Sequence, residues 1–267
     1  VLTFAPFFPE YHPYVDLTGA VLKVVPADTK SFQINFEAFE EMLGPRVAAV
    51  LVNTPNNPSG AVYSAETLTK LAEVLTRKAE QYGHDIFLIS DEPYREIVFD
   101  GKQQPYVSKF YANTISCYSF SKALSLPGER IGYLAVNPAC PYAAEIVNMC
   151  GQISRGIGHN CPTSLMQLAV SKVLDLTSDF SVYEKNRSLT DCGFEVVKPE
   201  GTFYIFPKAP EADAAAFCQK ALQYDLVLVP ADSFGCPGYF RMAYCIDTEK
   251  VERSLPVLRK MMKEIYG

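Results

Sequence analysis

The stretch VAAVLVNTPNNPSG, residues 47–60, joins an unbroken apolar run to a turn rich in Asn, Pro and Gly. An apolar run without polar alternation predicts a strand that is buried on both faces, as in a parallel sheet covered by helices. Apolar residues then recur at helical spacing between Ser64, which can cap a helix N-terminus, and Gly83, which can end the helix. This strand, turn and helix predict one unit of an α/β fold.

Further apolar runs predict more strands of the same, mostly parallel sheet at residues 85–92, 114–120 and 131–137. From about Ser178 the pattern changes. The segment FEVVKPEGTFYIFPK, residues 194–208, predicts two short strands about a Pro-Glu-Gly turn, with helical segments on either side. We therefore expect an α/β domain over residues 1–180, a smaller α+β domain over residues 181–267, and a ligand site in the cleft between them.

The composition argues against several classes of function. The 267 residues carry a net charge of −6 with scattered Lys and Arg, so we expect no nucleic-acid partner. Eight cysteines without CxxC spacing, together with three histidines, predict reduced thiols in a cytoplasmic protein rather than a zinc site or a disulfide scaffold. No apolar run approaches the roughly 18 residues of a membrane helix and no signal peptide opens the chain, so we expect no membrane association.

Polar side chains follow the carboxyl ends of the predicted strands, where open α/β sheets bind ligands. The segment SFSKALSLPGERIGY, residues 119–133, contributes several of them, because it holds a lysine between small residues and an arginine after a Pro-Gly turn. Taken singly, each of these groups could be a turn residue, a strand end or a solvated charge. Their shared position favours one site, formed by Asn57, Asp91, Tyr94, Ser119, Lys122 and Arg130.

The order of these motifs resembles that of the fold type I pyridoxal-phosphate enzymes, specifically the class I and II aminotransferases of the aspartate aminotransferase group. The resemblance covers essentially all 267 residues, through the segments APFFPEY, NTPNNPSG, SDEPYREIVFD, SFSKALSLPGERIGY, KPEGTFYIFPK and GYFRMAYC. It implies a large domain with a seven-stranded, mostly parallel sheet and a smaller α+β C-terminal domain. It also implies pyridoxal 5′-phosphate as cofactor and a homodimer that builds its site across the two-fold interface.

The resemblance assigns roles around the cofactor ring. Lys122 is expected to form a Schiff base with the cofactor aldehyde and later to act as the base that moves the substrate Cα proton. Asp91 is expected to pair with the pyridine nitrogen and keep it protonated. Asn57 and Tyr94 are expected to donate hydrogen bonds to the phenolate oxygen.

The resemblance also assigns residues to the cofactor phosphate and to the outer face of the cofactor ring. Ser119 and Arg130 match the phosphate ligands of the family, the arginine as a bidentate fork. Ser121 is either a further phosphate donor or simply a turn residue. Phe8 matches the aromatic residue that stacks on the pyridine ring, with core packing as its alternative role.

Substrate binding is expected to depend on arginines. Arg241 matches the residue that grips the substrate α-carboxylate, next to Asn57, and the alternative is an ordinary strand arginine. Arg155, in SRGIGHNCP, loosely resembles the arginine that aspartate-specific members supply across the dimer for the distal carboxylate, which would favour dicarboxylic substrates. We expect His159 to be structural, and we expect no metal.

Two parts of the family pattern are absent from the sequence. The glycine-rich turn that cradles the phosphate, and the tyrosine that reaches the neighbouring subunit's phosphate, are expected upstream of Val1, so we expect a missing N-terminal portion. The connection YEKNRSLTDCGFEV also reads as short, as if residues were lost between Arg187 and Cys192. A polypeptide that truly lacked the N-terminal portion should bind the cofactor weakly and show little activity.

The leading hypothesis is an aminotransferase with a ping-pong mechanism, in which an α-amino acid gives up its amino group and a 2-oxo acid then receives it. A carbon–sulfur lyase acting at Cβ, or a synthase that eliminates a γ-substituent, would use the same cofactor residues and stays an alternative. A cofactor-binding regulatory domain is less favoured, because it would need a basic helix-turn-helix that this sequence does not supply.

Overall fold

The structure is a computed structural model, and it describes residues 1–176, 178–189 and 193–267. Its strands are β1 Leu2–Phe4, β2 Lys23–Val25, β3 Ala49–Asn53, β4 Phe87–Asp91, β5 Thr114–Ser119, β6 Gly132–Val136, β7 Tyr204–Ile205, β8 Val229–Pro230 and β9 Phe240–Ala243. Its α-helices are α1 Tyr11–Asp16, α2 Phe36–Met42, α3 Ala65–Tyr82, α4 Phe120–Ala123, α5 Ala143–Gly156, α6 Ser164–Ser171, α7 Ser181–Leu189, α8 Ala214–Leu222 and α9 Thr248–Tyr266. The loss of residues expected between Arg187 and Cys192 concerns positions 190–192, which lie outside the described residues.

The larger sheet has six strands within the described residues, in the order β2-β1-β3-β4-β5-β6. All neighbouring strands from β2 to β5 are parallel, and β6 runs antiparallel to β5. The prediction of an α/β fold with a mostly parallel sheet is confirmed, although the described residues supply six strands where seven were expected. The three later strands that the sequence predicts in this sheet correspond to β4, β5 and β6.

The register of the three central strands brings their carboxyl ends side by side. Asn53 at the end of β3 pairs with Asp91 at the end of β4, and Asp91 pairs with Cys117 on β5. Because parallel strands end at the same edge of a sheet, residues more than 20 positions apart in the chain become neighbours here. The loops that follow these strands carry most of the polar groups singled out in the sequence.

Helix α3 explains why this register is firmly held. The Ser64 hydroxyl accepts a hydrogen bond of 3.0 Å from a backbone N–H of the first turn, and Gly83 ends the helix in the left-handed conformation with φ of 70°, as the sequence predicts. Leucines of α3 are buried in a core formed with β1, β3 and β4. Each such leucine contributes roughly 1.5–3 kcal/mol through burial. The apolar faces of the sheet therefore fix the strand ends that bear the polar groups.

The C-terminal part has a small antiparallel sheet in the order β7-β9-β8, against which α8 and α9 pack. The prediction of two strands in residues 194–208 is wrong for the first of them. Val196 makes only an isolated bridge to Pro207, and β7 is the one strand of this segment. The backbone N–H of Lys208 donates to the Glu195 carbonyl at 2.9 Å, but Lys208 bridges to Tyr239 rather than to this segment, so the pairing stays a single bridge.

The C-terminal part packs against the polar edge of the larger sheet. Tyr94, Ile97 and Phe99, which follow β4, share a buried cluster with Phe203 and Tyr244. This contact brings β7 and β9 over the carboxyl ends of β3 and β4. Among the helices in the described ranges, none is both long and apolar enough to cross a lipid bilayer.

Candidate active site

A cavity of about 480 Å³ lies between the carboxyl ends of β3 and β4 and the strands β7 and β9. The loops after the sheet strands form one wall, and the small sheet forms the opposite one. Sequence-predicted residues from both parts of the chain line this cavity together: Phe8, Asn57, Asp91, Tyr94, Lys122 and Arg241.

Asp91 ends β4 and faces the cavity. Its Oδ2 accepts a hydrogen bond of 2.6 Å from the Tyr11 hydroxyl, and its backbone carbonyl accepts one of 2.9 Å from the Asn53 amide. Removal from bulk water raises the pKa of Asp91 to about 6; the Tyr11 hydrogen bond opposes this rise and the neighbouring Glu92 adds to it. Within the part of the chain that the structure describes, no Lys or Arg forms an ion pair with Asp91. The site therefore holds an enclosed carboxylate ready for a cation.

Lys122 lies on the short helix α4, directly after β5, and is half-buried. Its Nζ lies 5.8 Å from the ring centroid of Tyr94 and 5.6 Å from that of Phe203. Removal from water lowers the pKa of the Lys122 amine; Cys245 opposes this shift, and the positive charges of Arg241 and Arg130 reinforce it. A lowered pKa increases the fraction of neutral amine at pH 7, which is the form that attacks a carbonyl or accepts a proton.

Arg241 on β9 is held at the cavity wall by an amide and two aromatic rings. Its Nη1 donates a hydrogen bond of 2.9 Å to Asn57 Oδ1. Its guanidinium carbon lies 4.3 Å from the ring centroid of Tyr204 and 5.0 Å from that of Phe234. Asn57 is itself fixed, because its backbone N–H donates to Asn53 Oδ1 at 2.7 Å. The remaining guanidinium donors can bind a carboxylate in the cavity.

Tyr94 is almost fully buried, at 3% exposure, at the inner side of the cavity. Its hydroxyl donates to the hydroxyl oxygen of Tyr204 over 3.4 Å. Removal from water raises the pKa of Tyr94 well above its usual value, and Tyr204 and Asp91 add to the shift. The side chain is therefore a protonated hydrogen-bond donor throughout the working pH range.

The residues expected at the phosphate adjoin the cavity without lining it. The Ser119 hydroxyl donates to Ser121 Oγ at 2.7 Å and accepts from the backbone N–H of Ser121 at 3.1 Å, which caps α4. Arg130 is exposed and donates to the carbonyl of Pro127 at 2.7 Å. Its charge still acts on Lys122, so the guanidinium lies near the same end of the site.

Two residues are not brought to the cavity. Arg155 is exposed in the last turn of α5, and His159 is exposed just beyond that helix. The role expected for Arg155 stays a prediction, because it depends on a second subunit. Phe8 lines the cavity and packs edge-on against Tyr11, with 5.7 Å between the ring centroids. Its ring therefore contributes both to core packing and to the cavity wall.

Sequence reasoning missed three residues of this site. Asn53 could have been found, because it is the last residue of a predicted strand, the same position that made Asp91 a candidate. Tyr11 gave no local signal, since it begins α1 and reaches Asp91 across 80 positions of the chain. Tyr204 gave no such signal, since its place depends on the packing of the small sheet. Among the described residues, no cluster of His, Cys, Asp and Glu fits a metal ion.

Comparison with known proteins agrees with this geometry. The family model for Aminotransferase class I and II matches residues 1–258. An aromatic-amino-acid aminotransferase of Thermococcus litoralis is 30% identical over 99% of this chain and 70% of its own length. An aspartate aminotransferase of Thermotoga maritima is 30% identical over 96% of this chain and 67% of its own length.

Solved structures give the same result. The crystal structure of an amino transferase from Eubacterium rectale superposes with a TM-score of 0.95 at 46% identity, covering 100% of this chain and 68% of that one. The family match extends over almost the whole chain, and the relatives share one class of reaction. The chain therefore belongs to the class I and II aminotransferases, pyridoxal-phosphate-dependent enzymes of fold type I that transfer amino groups.

Proposed function

We propose that this chain transfers an amino group from an α-amino acid to a 2-oxo acid at the cavity between β3, β4 and the small sheet, with Lys122 as the reactive amine. The observation that carries the proposal is the enclosed Asp91 carboxylate, which has no cationic partner among the described residues and lines the same cavity as Lys122 and Arg241. A carboxylate in that state fits a protonated pyridine nitrogen.

The residues present also fit the rest of pyridoxal phosphate. The Lys122 amine, with its lowered pKa, suits the aldehyde, and the amide of Asn57 and the hydroxyl of Tyr94 suit the phenolate oxygen. Ser119, with Ser121 as a second donor, and Arg130 would hold the phosphate. Phe8 would stack on the ring as part of the cavity wall.

When bound, the cofactor supplies an aldehyde for the amino group and a cationic ring that accepts the electron pair left at the substrate Cα. The protein does the rest. Asp91 would keep the ring nitrogen protonated, and the hydrogen bond from the Tyr11 hydroxyl would fix the orientation of that carboxylate. The neutral amine of Lys122 would accept the proton from the substrate Cα and then release it from the resulting ammonium, a task for which its lowered pKa is suited.

Substrate binding in this proposal depends on one arginine that serves both half-reactions. Arg241, held by Asn57 and Tyr204, binds the α-carboxylate of the amino acid and then that of the 2-oxo acid. Because both substrates need the same guanidinium, the first product must leave before the second substrate enters. The kinetics are therefore ping-pong.

The experiment that tests the function is a half-reaction screen. The purified protein, loaded with pyridoxal phosphate, is mixed with acidic, aromatic and aliphatic amino acids in turn, and pyridoxamine phosphate and the 2-oxo acid are quantified. We expect equal amounts of the two products for at least one amino acid. Pyruvate and ammonia from cysteine conjugates, without pyridoxamine phosphate, would instead identify a lyase. A response to aspartate alone would support the role expected for Arg155.

Replacing Arg241 should weaken the binding of the substrate and leave the binding of the cofactor unchanged. We expect Arg241→Ala to raise the half-saturating amino acid concentration roughly 100-fold, since charge-assisted hydrogen bonds contribute about 1.5–3 kcal/mol each. The visible absorption of bound cofactor should stay unchanged. The half-saturating concentration of Arg241→Lys should fall between those of wild type and Arg241→Ala, because lysine keeps the charge but loses the planar fork of donors. The control is Arg253→Ala on the exposed face of α9. Unchanged half-saturation would remove Arg241 from the site.

We further propose that the enzyme is a cytoplasmic homodimer. We also propose that each chain divides into a larger domain, residues 1–180, and a smaller one, residues 181–267. Large apolar side chains stay exposed on α5 and α6, among them Met149, Ile153 and Leu165, and such a patch supports burial against a second subunit. Seven described cysteines are free, which supports a reducing compartment. Sedimentation at the mass of a monomer, at micromolar concentration, would contradict the dimer.

A further inference from the structure

Tyr204 is the first residue of β7, and the small sheet determines which way it faces. It pairs with Ala243 on the antiparallel strand β9. Arg241 lies two residues before Ala243, and because side chains alternate along a strand, Arg241 and Tyr204 are diagonal neighbours on one face of the sheet. The backbone N–H of Tyr204 also donates to Thr202 Oγ1 at 3.2 Å, so the start of the strand is fixed.

The guanidinium of Arg241 stacks on the ring of Tyr204. The guanidinium carbon is 4.3 Å from the ring centroid, closer than the 5.0 Å to Phe234. Stacking on an aromatic face restricts how a guanidinium can tilt while leaving its in-plane N–H donors available. The Asn57 amide accepts one of these donors. Ring and amide together fix the plane in which Arg241 presents its remaining donors to the cavity.

The hydroxyl of Tyr204 reaches a different functional group. It lies 3.4 Å from the hydroxyl of Tyr94, and the two rings meet edge to face at 6.0 Å. Tyr94 follows β4 in the larger sheet, whereas Tyr204 belongs to the small sheet. At 8% exposure, Tyr204 therefore bridges the two walls of the cavity through opposite ends of one rigid side chain.

We propose that Tyr204 is a positioning residue that links the two proposed halves of the site, with its ring orienting Arg241 for the substrate carboxylate and its hydroxyl orienting Tyr94 for the cofactor phenolate. The inference rests on the proposed function of Arg241 and Tyr94. With its own hydrogen bond directed to the cofactor phenolate instead of to Tyr204, the Tyr94 hydroxyl would accept a hydrogen bond from the Tyr204 hydroxyl. A donor that itself accepts a hydrogen bond is polarised and donates more strongly.

Two variants separate the two ends of the side chain. Tyr204→Phe keeps the ring and removes the hydroxyl, so the half-saturating concentration of the best amino acid should stay within twofold of wild type. The midpoint of the pH titration of bound-cofactor absorption should rise by about half a pH unit, since a weakened donor stabilises the phenolate less. Tyr204→Leu removes the ring as well, and should in addition raise half-saturation roughly fivefold.

The matched control is Tyr239→Phe, a tyrosine that stacks on Phe206 away from the cavity and should leave both quantities unchanged. The inference is overturned if the Tyr204→Phe midpoint stays within about 0.1 pH unit of wild type. It is equally overturned if a folded Tyr204→Leu variant shows wild-type half-saturation. If Tyr204→Leu does not fold, the titration midpoint of Tyr204→Phe decides alone. Failure of the proposed function would look different, because wild type itself would then form no pyridoxamine phosphate in the half-reaction screen.

Discussion

Replacing Asp91 with asparagine should make the protein more stable without cofactor and almost inactive with it. The carboxylate lies enclosed in the cavity, with a hydroxyl rather than a cation as its partner, and its pKa is raised from 3.8 to about 6. That shift corresponds to roughly 3 kcal/mol, which cavity water screens to about 2 kcal/mol. Asparagine removes this cost and can still accept the Tyr11 hydrogen bond.

The gain in stability should depend on pH in a defined direction. Because the folded-state pKa of Asp91 lies above its unfolded value, the native state is penalised as pH rises from about 4 to about 6, and the full penalty remains above that range. Asp91→Asn should therefore gain about 2 kcal/mol in free energy of unfolding at pH 7.5, about half of that at pH 5, and nothing below pH 4. Urea unfolding of the cofactor-free protein at these three pH values measures this gain in the free energy of unfolding.

The loss of activity should accompany this gain. An asparagine cannot hold the ring nitrogen protonated, so we expect kcat to fall on the order of 10²–10³-fold, the usual effect of removing one preorganised electrostatic partner. Asp175→Asn, at an exposed position, is the matched control and should change neither quantity. A variant that lost stability at pH 7.5, or kept wild-type turnover, would show that Asp91 is an ordinary strand-end carboxylate.

Replacing Lys122 with alanine should give the largest loss of turnover. The residue is expected to act twice, as the group that holds the cofactor and as the base for the Cα proton. Removal of a positioned base alone costs about 10²–10⁴-fold, so with the covalent role included we expect a decrease on the order of 10⁴-fold or more. The visible absorption of bound cofactor should also change in position, because free aldehyde absorbs differently from aldehyde held by an amine.

The control for Lys122 is Lys172→Ala, which removes an exposed lysine after α6. That variant should keep wild-type turnover and spectrum. Retention of more than about a tenth of wild-type turnover by Lys122→Ala would be inconsistent with a base that contributes 10²–10⁴-fold. The reaction would then use another amine.

The sequence predicted most of the sheet and one wall of the cavity. Residues 47–52 are apolar on both faces because helices cover both sides of the sheet, and this made β3 and the positions at its carboxyl end recognisable. Asp91 could be placed in the same way, since the end of β4 follows an apolar run. Lys122 could be placed from the apolar strand that directly precedes it. These assignments depend on local pattern, which a sequence displays directly.

The opposite wall depends on packing that no local pattern reveals. Tyr204 and Arg241 meet only because β7 and β9 pair antiparallel in a particular register. The strand wrongly predicted near Val196 makes a single bridge, to Pro207, and the next residue, Lys208, bridges to Tyr239 instead. Tyr11 reaches Asp91 across 80 positions of the chain. Pairings at such distances are decided by tertiary structure.

The amine that holds the cofactor can be identified directly by chemical mapping. The purified protein is incubated with pyridoxal phosphate, reduced with borohydride so that the cofactor stays attached, digested, and analysed by mass spectrometry. We expect the label on the peptide containing Lys122, and we expect Asp91→Asn to weaken the labelling without moving it. Labelling spread over exposed lysines, or concentrated on any lysine other than Lys122, would show that Lys122 is not the amine that holds the cofactor.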